Sequence, residues 1–311
     1  MHDRDSRSDM SDWFALMRSG HFEQAWALSD RDLPARRFVD RRTVPRHLQN
    51  VWDGSPIENR RVLVRCYHGL GDTVQFARYL PRLREAAREV IVWTPPALIP
   101  LFERSIAGVR FIPLHDGAPD VRCDVDVEIM ELAHVFRTTM DTIPADVPYL
   151  HATPTSSTDE RLRVGLVWRA GGWDVTRSIA FDLVEPFLRR HPQITFVPLQ
   201  ASLTAEERRA FSACVAVPTV ERLAEEIAAC DLIISVDTLA AHLAGALAAP
   251  TWTLLKSCAD WRWMTGRGDS PWYPSMRLFR QPRAGAWSDV LAEVGSNLQP
   301  GVRLLRSPLE Q

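Results

Sequence analysis

The run Leu232-Ile-Ile-Ser-Val236 permits few folds. It is apolar along both faces, so as a strand it must be covered on both sides. A small-residue helical stretch, residues 239–248, begins two positions later. A doubly covered strand feeding directly into a helix is the repeating step of a parallel α/β sheet. The same alternation occurs twice along the chain. In the first series, strands are predicted at 61–67, 90–93, 109–114 and 125–129, with helices after Gly69 and over 97–104. Pro81 marks a break in the helix that carries Phe76, Leu80 and Leu83. A Thr/Ser/Pro-biased linker spans 148–159. Alternation then restarts, with strands at 164–168, 194–199, 214–217, 232–236 and 251–255. Helices are predicted over 181–190, 204–211, 220–229 and 239–248, and a final helix over 286–298 is expected to pack near the domain junction.

A chain of 311 residues favours two domains. Hydrophobic residues make up 46% and charged residues 24%, which fits a packed globular protein. The 37 basic and 39 acidic residues leave a formal charge of −2, which argues against a nucleic-acid surface. The five cysteines contain no C-x-x-C pair, as expected of reduced thiols, and the histidines are dispersed, so no metal site is expected. The polar start lacks a secretory h-region, and no apolar run reaches the ~18 residues of a membrane span. A cytoplasmic location is expected, with peripheral membrane contact still open.

Residues 1 to about 10 read as a disordered tail. Trp13 to Gly20 and His21 to Leu28 then read as a helical hairpin with Gly20 as the stop. Its Gly20, Phe22 and Ala25 spacing is similar to one tetratricopeptide unit. A single unit cannot bury its own face, so it needs a partner surface, in this chain or in another protein. Residues 34–60 read as an irregular connection.

Chemistry is expected at the carboxyl ends of strands, where open α/β sheets bind phosphorylated ligands. Ser235, Asp237 and Thr238 end one strand at the start of a helix. His242 falls one turn further on the same face as Thr238, so backbone, hydroxyl and imidazole can hold an anion together. Gly69-Leu-Gly71-Asp72 leaves another strand. It reads equally well as a tight turn with Asp72 as the helix N-cap, or as a carboxylate placed to take a proton from a hydroxyl. Arg169 and Arg177 flank a Gly-Gly loop and suit a pyrophosphate, or they solvate that loop. The Gln200 amide meets a nucleoside or caps its own loop. Asp260-Trp-Arg-Trp263 and Pro271-Trp-Tyr-Pro274 stack on a base or sugar, or pack as loops. A dinucleotide-binding glycine fingerprint is not evident.

Taken together, several motifs resemble a known family. These are Val51-Trp-Asp-Gly-Ser-Pro, Gly69-Leu-Gly-Asp-Thr-Val-Gln-Phe-Ala-Arg-Tyr-Leu-Pro81, Val164-Gly-Leu-Val-Trp, Arg177-Ser-Ile, Ser235-Val-Asp-Thr with His242, and the segment from Asp260 to Pro282. Over about residues 50–298 the chain is similar to family 9 glycosyltransferases, the ADP-heptose:lipopolysaccharide heptosyltransferases. It also looks like the glycosyltransferase module found behind tetratricopeptide repeats, a module that is itself similar to family 9.

The resemblance implies an α/β GT-B fold: two Rossmann-like parallel-sheet domains preceded by a short helical hairpin. The expected division is 1–50 for tail and hairpin, 51–150 for the acceptor-side domain and 151–311 for the nucleotide-sugar domain. It implies an inverting, metal-independent transferase of hexosyl or heptosyl groups that uses no cofactor. Its expected substrates are a nucleotide diphosphate sugar, ADP-linked, and a hydroxyl on a glycan, lipid-linked or protein acceptor. Asp72 matches the proposed base. Arg177, Ser235, Asp237, Thr238, Leu239 and His242, joined by Gln200, fall on the donor side. His68, Gly69, Gly71 and Gln75 fall on the acceptor side. The chain departs from the heptosyltransferase pattern at Leu239, where a glycine is usual, at Tyr67-His68, where Glu-Gln is usual, and in the loop 170–176. These departures motivate the alternative of a non-catalytic GT-B-shaped binding or scaffold protein.

Overall fold

The computed structural model describes residues 2–36, 38, 44–156 and 161–298. The chain divides into two compact units, Met1–Pro144 with Asp260–Gly266, and Ala145–Ala259 with Arg267–Gln311. The short segment Asp260–Gly266 therefore leaves the expected 151–311 range and folds with the first unit.

The first unit opens with α1 (His2–Arg18) and α2 (Phe22–Arg36). Helix starts at His2, not near Asp12, so the stretch expected to be a disordered tail continues α1 outward. Gly20 takes φ +82° between the helices, the left-handed stop conformation. Met17, Phe22, Ala25 and Trp26 are buried, and the Trp26 indole N–H donates to the Thr138 carbonyl at 2.7 Å. The hairpin's apolar face is thus used within its own unit.

Four parallel strands follow: β1 (Arg61–Arg65), β2 (Glu89–Thr94), β3 (Arg110–Pro113) and β4 (Val125–Glu128), in the order β3-β2-β1-β4. The connecting helices are α3 (Leu70–Phe76), α4 (Leu80–Ala86), α5 (Ile99–Ser105) and α6 (Leu132–Val135). A 3-10 turn, Ala77–Tyr79, separates α3 from α4 where Pro81, lacking an N–H, cannot continue the first helix. Val62, Leu63, Val64, Phe76, Leu80 and Val92 are among the residues that fill the core.

The second unit contains β5 (Arg163–Val167), α7 (Phe181–Arg189), β6 (Thr195–Pro198), α8 (Ala205–Arg209), α9 (Val220–Ala228), β7 (Leu232–Val236), α10 (Leu239–Ala246), β8 (Thr251–Leu255), β9 (Met276–Arg280) and α11 (Trp287–Asn297). Its sheet is parallel throughout, in the order β6-β5-β7-β8-β9. Residues 214–217 form no strand: only Val217 is buried, and Pro218 lacks the N–H a ladder needs. Its place among the expected five is taken by β9, which pairs with β8. Trp287, Val290, Leu291 and Val294 of α11 enter the second core beside Phe187 of α7. The described part of the linker, residues 148–156, carries no regular structure, and the rest lies outside the described residues. No helix among the described residues is long and apolar enough to cross a membrane.

Candidate functional site

In both sheets the strand order reverses once, and each reversal places two strand ends side by side. In the first sheet these are the ends of β1 and β4, and in the second those of β5 and β7. Such switch points open the crevice in which doubly wound sheets hold ligands. Most of the sequence-predicted residues fall at these two places.

At the first, His68 follows β1 and Glu128 ends β4. Their side chains meet, with Nδ1 3.0 Å from Oε1, and Glu128 is only 1% exposed. The second Glu128 oxygen accepts the Met130 N–H at 2.7 Å, which fixes the carboxylate. Burial disfavours the charged imidazole, but the hydrogen bond and charge of Glu128, aided by the charge of Asp72, outweigh it and raise His68 above the ordinary histidine value.

Asp72 is not the N-cap of α3. Gly69 holds that position, and Asp72, three residues in, reaches back with Oδ2 to accept the Gly69 N–H at 2.9 Å. Its other oxygen pairs with the guanidinium of Arg262, whose Nε lies 3.0 Å from Oδ1 of Asp260. Asp72 retains 23% of its side-chain surface, while Arg262 keeps 8%. The segment Asp260–Gly266 reaches this unit because Trp261 is packed against Trp13, Phe22 and Phe76. Of the two readings offered for this segment, its Trp residues take the loop-packing one, and Arg262 orients Asp72. Gln75, on α3, is fully buried. Gly71, within the first turn of α3, is half-buried.

At the second switch point, the loop leaving β5 meets the turn leaving β7. Arg177 donates from Nη1 to the Asp237 carbonyl at 3.0 Å, and lies 3.9 Å from the Asp237 carboxylate. Thr238 caps α10 in an extended conformation, with Leu239 as the first helical residue. Ser235 is fully buried; its hydroxyl donates to the Val236 carbonyl at 2.7 Å and lies 3.2 Å from the Thr238 hydroxyl. His242 is 2% exposed, with Nδ1 3.1 Å from the Tyr273 hydroxyl and Nε2 3.7 Å from Oδ1 of Asp237. Ser235 and His242 thus both lie at the turn, with the imidazole between Asp237 and Tyr273. Trp272 and Tyr273 are both fully buried, so their segment is core.

Gln200 takes its loop-capping alternative: Oε1 accepts the backbone N–H groups of Trp168 at 3.0 Å and Arg169 at 2.7 Å. Arg169 is bound to Glu207 and to the Ser202 carbonyl, which leaves Arg177 as the loop's arginine at the turn. Glu128 is the residue of this group that no local pattern marks, since it meets His68 across 60 positions. Arg262 and Tyr273 lie in the aromatic motifs read from the sequence, but their partners, 190 and 31 positions away, are not legible there.

Against known proteins, no protein-family model matches the sequence. Protein FlbA of Caulobacter vibrioides is 27% identical over 325 residues, 91% of this chain and 53% of that protein. The chain thus spans about half the length of this curated relative. Several solved structures match in fold, among them two glycosyltransferases. One is the family 9 glycosyl transferase of Veillonella parvula, with a TM-score of 0.52 and 11% identity, covering 73% of this chain and 87% of that one. The other is the dodecameric, iron-containing glycosyltransferase TibC of enterotoxigenic E. coli, with a TM-score of 0.51 and 11% identity, covering 76% and 67%. The chain has the GT-B fold. The iron in the TibC name is a property of that protein. Among the described residues here, no group of three or more His, Cys, Asp or Glu side chains is placed to hold a metal ion.

Proposed function

We propose that the protein is an inverting, metal-independent glycosyltransferase of the family 9 type, acting in the cytoplasm. Its donor is a nucleotide diphosphate sugar, ADP-linked and heptose-like, and its acceptor a hydroxyl on a glycan, lipid-linked or protein substrate. The observation that carries this reading is the β7–α10 turn. It brings Arg177, the Asp237 backbone, Thr238 and the amino terminus of α10 together at the second sheet's switch point. A cationic fork beside free helix N–H groups suits a diphosphate. TibC, which shares the fold, has been solved in complex with ADP-D-β-D-heptose.

In the proposed reaction, Asp72 accepts the proton of the acceptor hydroxyl. The hydroxyl oxygen bonds to the anomeric carbon from the face opposite the diphosphate. The bond from that carbon to the phosphate oxygen breaks, and the diphosphate leaves with the electron pair. Arg177 and the α10 terminus take up the charge that develops on it, which supplies by fixed dipoles and a guanidinium what other enzymes draw from a metal ion. The pairing with Arg262 does not rule out the base, since an ionised carboxylate has about four acceptor positions and the two bonds described orient it.

The test is a transfer screen of purified protein against a nucleotide-sugar panel, read by mass spectrometry, alongside Asp72→Asn. Asp72→Asn is expected to lower turnover by about 10²–10⁴-fold, the usual contribution of a general base, with donor binding retained. Unchanged turnover refutes the base assignment. Failure of the wild-type protein to bind any nucleotide sugar favours the scaffold alternative.

A further inference from the structure

Of 37 basic residues in the chain, one is a lysine, Lys256. It is the first residue beyond β8. Val236 of β7 is in register with Leu254 of β8, so Lys256 comes level with the Asp237–Thr238 turn, about one strand spacing of ~4.8 Å to the side. Its ammonium lies 2.5 Å from Oδ2 of Asp174 and 3.4 Å from the Thr176 hydroxyl. Both partners sit on the loop leaving β5, and the next residue on that loop is Arg177, which donates to the Asp237 carbonyl. The loop therefore spans from β5 past the end of β7 to the end of β8, tied by Lys256 on the far side.

This places the Lys256 ammonium, the Arg177 guanidinium and the first N–H groups of α10 around one turn. We infer that Lys256 is a second cationic ligand of the diphosphate, exchanging the Asp174 carboxylate for a phosphoryl oxygen when a nucleotide diphosphate binds. This rests on the donor-site reading given above. Lysine suits an exchange of partners: its ammonium is a compact charge with three donors on a flexible stem, whereas a bidentate arginine stays locked to one carboxylate. The loop also has little packing to lose. Gly171 and Gly172 have no neighbouring atoms where a side chain would stand, and Trp173 and Val175 are 83% and 71% exposed. Burial would raise the Asp174 carboxyl, but its bonds to Lys256 and Thr176 hold it at about 2, so it competes as a full negative charge.

The test is titration calorimetry with ADP, UDP, GDP, AMP and inorganic pyrophosphate on the wild-type protein, K256Q, K256R and D174N. K256Q is expected to weaken the bound diphosphates and pyrophosphate roughly tenfold or more, the size of one charge-assisted hydrogen bond, and AMP much less. K256R should recover most of the loss, and D174N should bind diphosphate more tightly than wild type. Because the chain has one lysine, acylation of the wild-type protein by an N-hydroxysuccinimide ester, read at the Lys256 peptide, supplies a second measurement that needs no variant. Pyrophosphate should slow it and AMP should not. Diphosphate binding that is equal in wild type and K256Q, with acylation unprotected, overturns the role of Lys256 and leaves the donor-site reading intact. No binding of any diphosphate or pyrophosphate to wild type overturns both.

Discussion

Gly245→Ala is expected to destabilise the second unit although alanine is the better helix former. Gly245 lies on α10 against Tyr273 and Met276. A β-carbon at this position would sit 2.3 Å from Cδ1 and 2.6 Å from Cγ of Tyr273, and 2.7 Å from Cε of Met276. Carbon atoms prefer about 3.5–4.0 Å, so the shortfall against the ring exceeds an ångström. The Met276 methyl can swing aside. The Tyr273 ring cannot, because it is fully buried and its hydroxyl meets His242 at 3.1 Å. Overpacking of this severity costs about 3 kcal/mol, the upper end of the usual range, and the helix-propensity gain of alanine offsets about 1 kcal/mol. The net loss of about 2 kcal/mol corresponds to a fall of about 4–8 °C in the Tm of a unit this size. Scanning calorimetry measures it, and nucleotide affinity should fall with it, since α10 carries the turn. In a Tyr273→Ala background the obstruction is gone, and Gly245→Ala should stabilise by about 1 kcal/mol. An unchanged or raised Tm for the single variant would show that α10 relaxes freely and that the packing argument fails.

Two further outcomes concern the first unit. The Glu131 side chain is 10% exposed, and its partial burial raises its carboxyl above the usual glutamate range against the pull of Arg36 and the backbone N–H groups of Trp52, Val51 and Glu128. It accepts Arg36 at 2.7 Å and those three N–H groups at 2.9, 2.9 and 3.1 Å. Glu131→Ala leaves several buried donors unmet, at about 1–3 kcal/mol each, so a chemical-denaturation midpoint shift of at least 3 kcal/mol is expected. A shift below 1 kcal/mol would mean that water replaces the carboxylate. His68 has a folded pKa above its unfolded value, so its pairing stabilises fully below the unfolded value, near pH 6.5, and that contribution disappears as pH rises through the folded value. Glu128→Gln should lower the His68 midpoint in an NMR titration. A midpoint that does not move would remove Glu128 as the cause.

The supports of the candidate site were less legible than its outline. Asp237, Thr238 and Arg177 were found because a turn after an apolar run can be read from adjacent residues. The opposite held for the arginine partner of Asp72: it depends on Trp261 docking beside α1, and no spacing in the chain expresses that contact. For His242 the sequence period named the face it projects from, while its hydrogen bond to Tyr273, 31 positions away, came only with the tertiary structure. The misread strand at 214–217 and the unread β9 have one cause. Whether a short apolar run joins a sheet depends on which edge has a free neighbour, which is settled only once the sheet has formed.

Apolar period and strand-to-helix order by themselves determined that this chain builds two parallel sheets and that polar residues cluster where strands end, because both follow from interactions within a few positions. The tertiary structure alone decided which carboxylate meets which cation: Asp72 with Arg262, His68 with Glu128, and Asp174 with Lys256. Those pairs span 60 to 190 residues, and charge attraction selects among many equivalent groups only after hydrophobic burial has brought particular ones within a few ångströms.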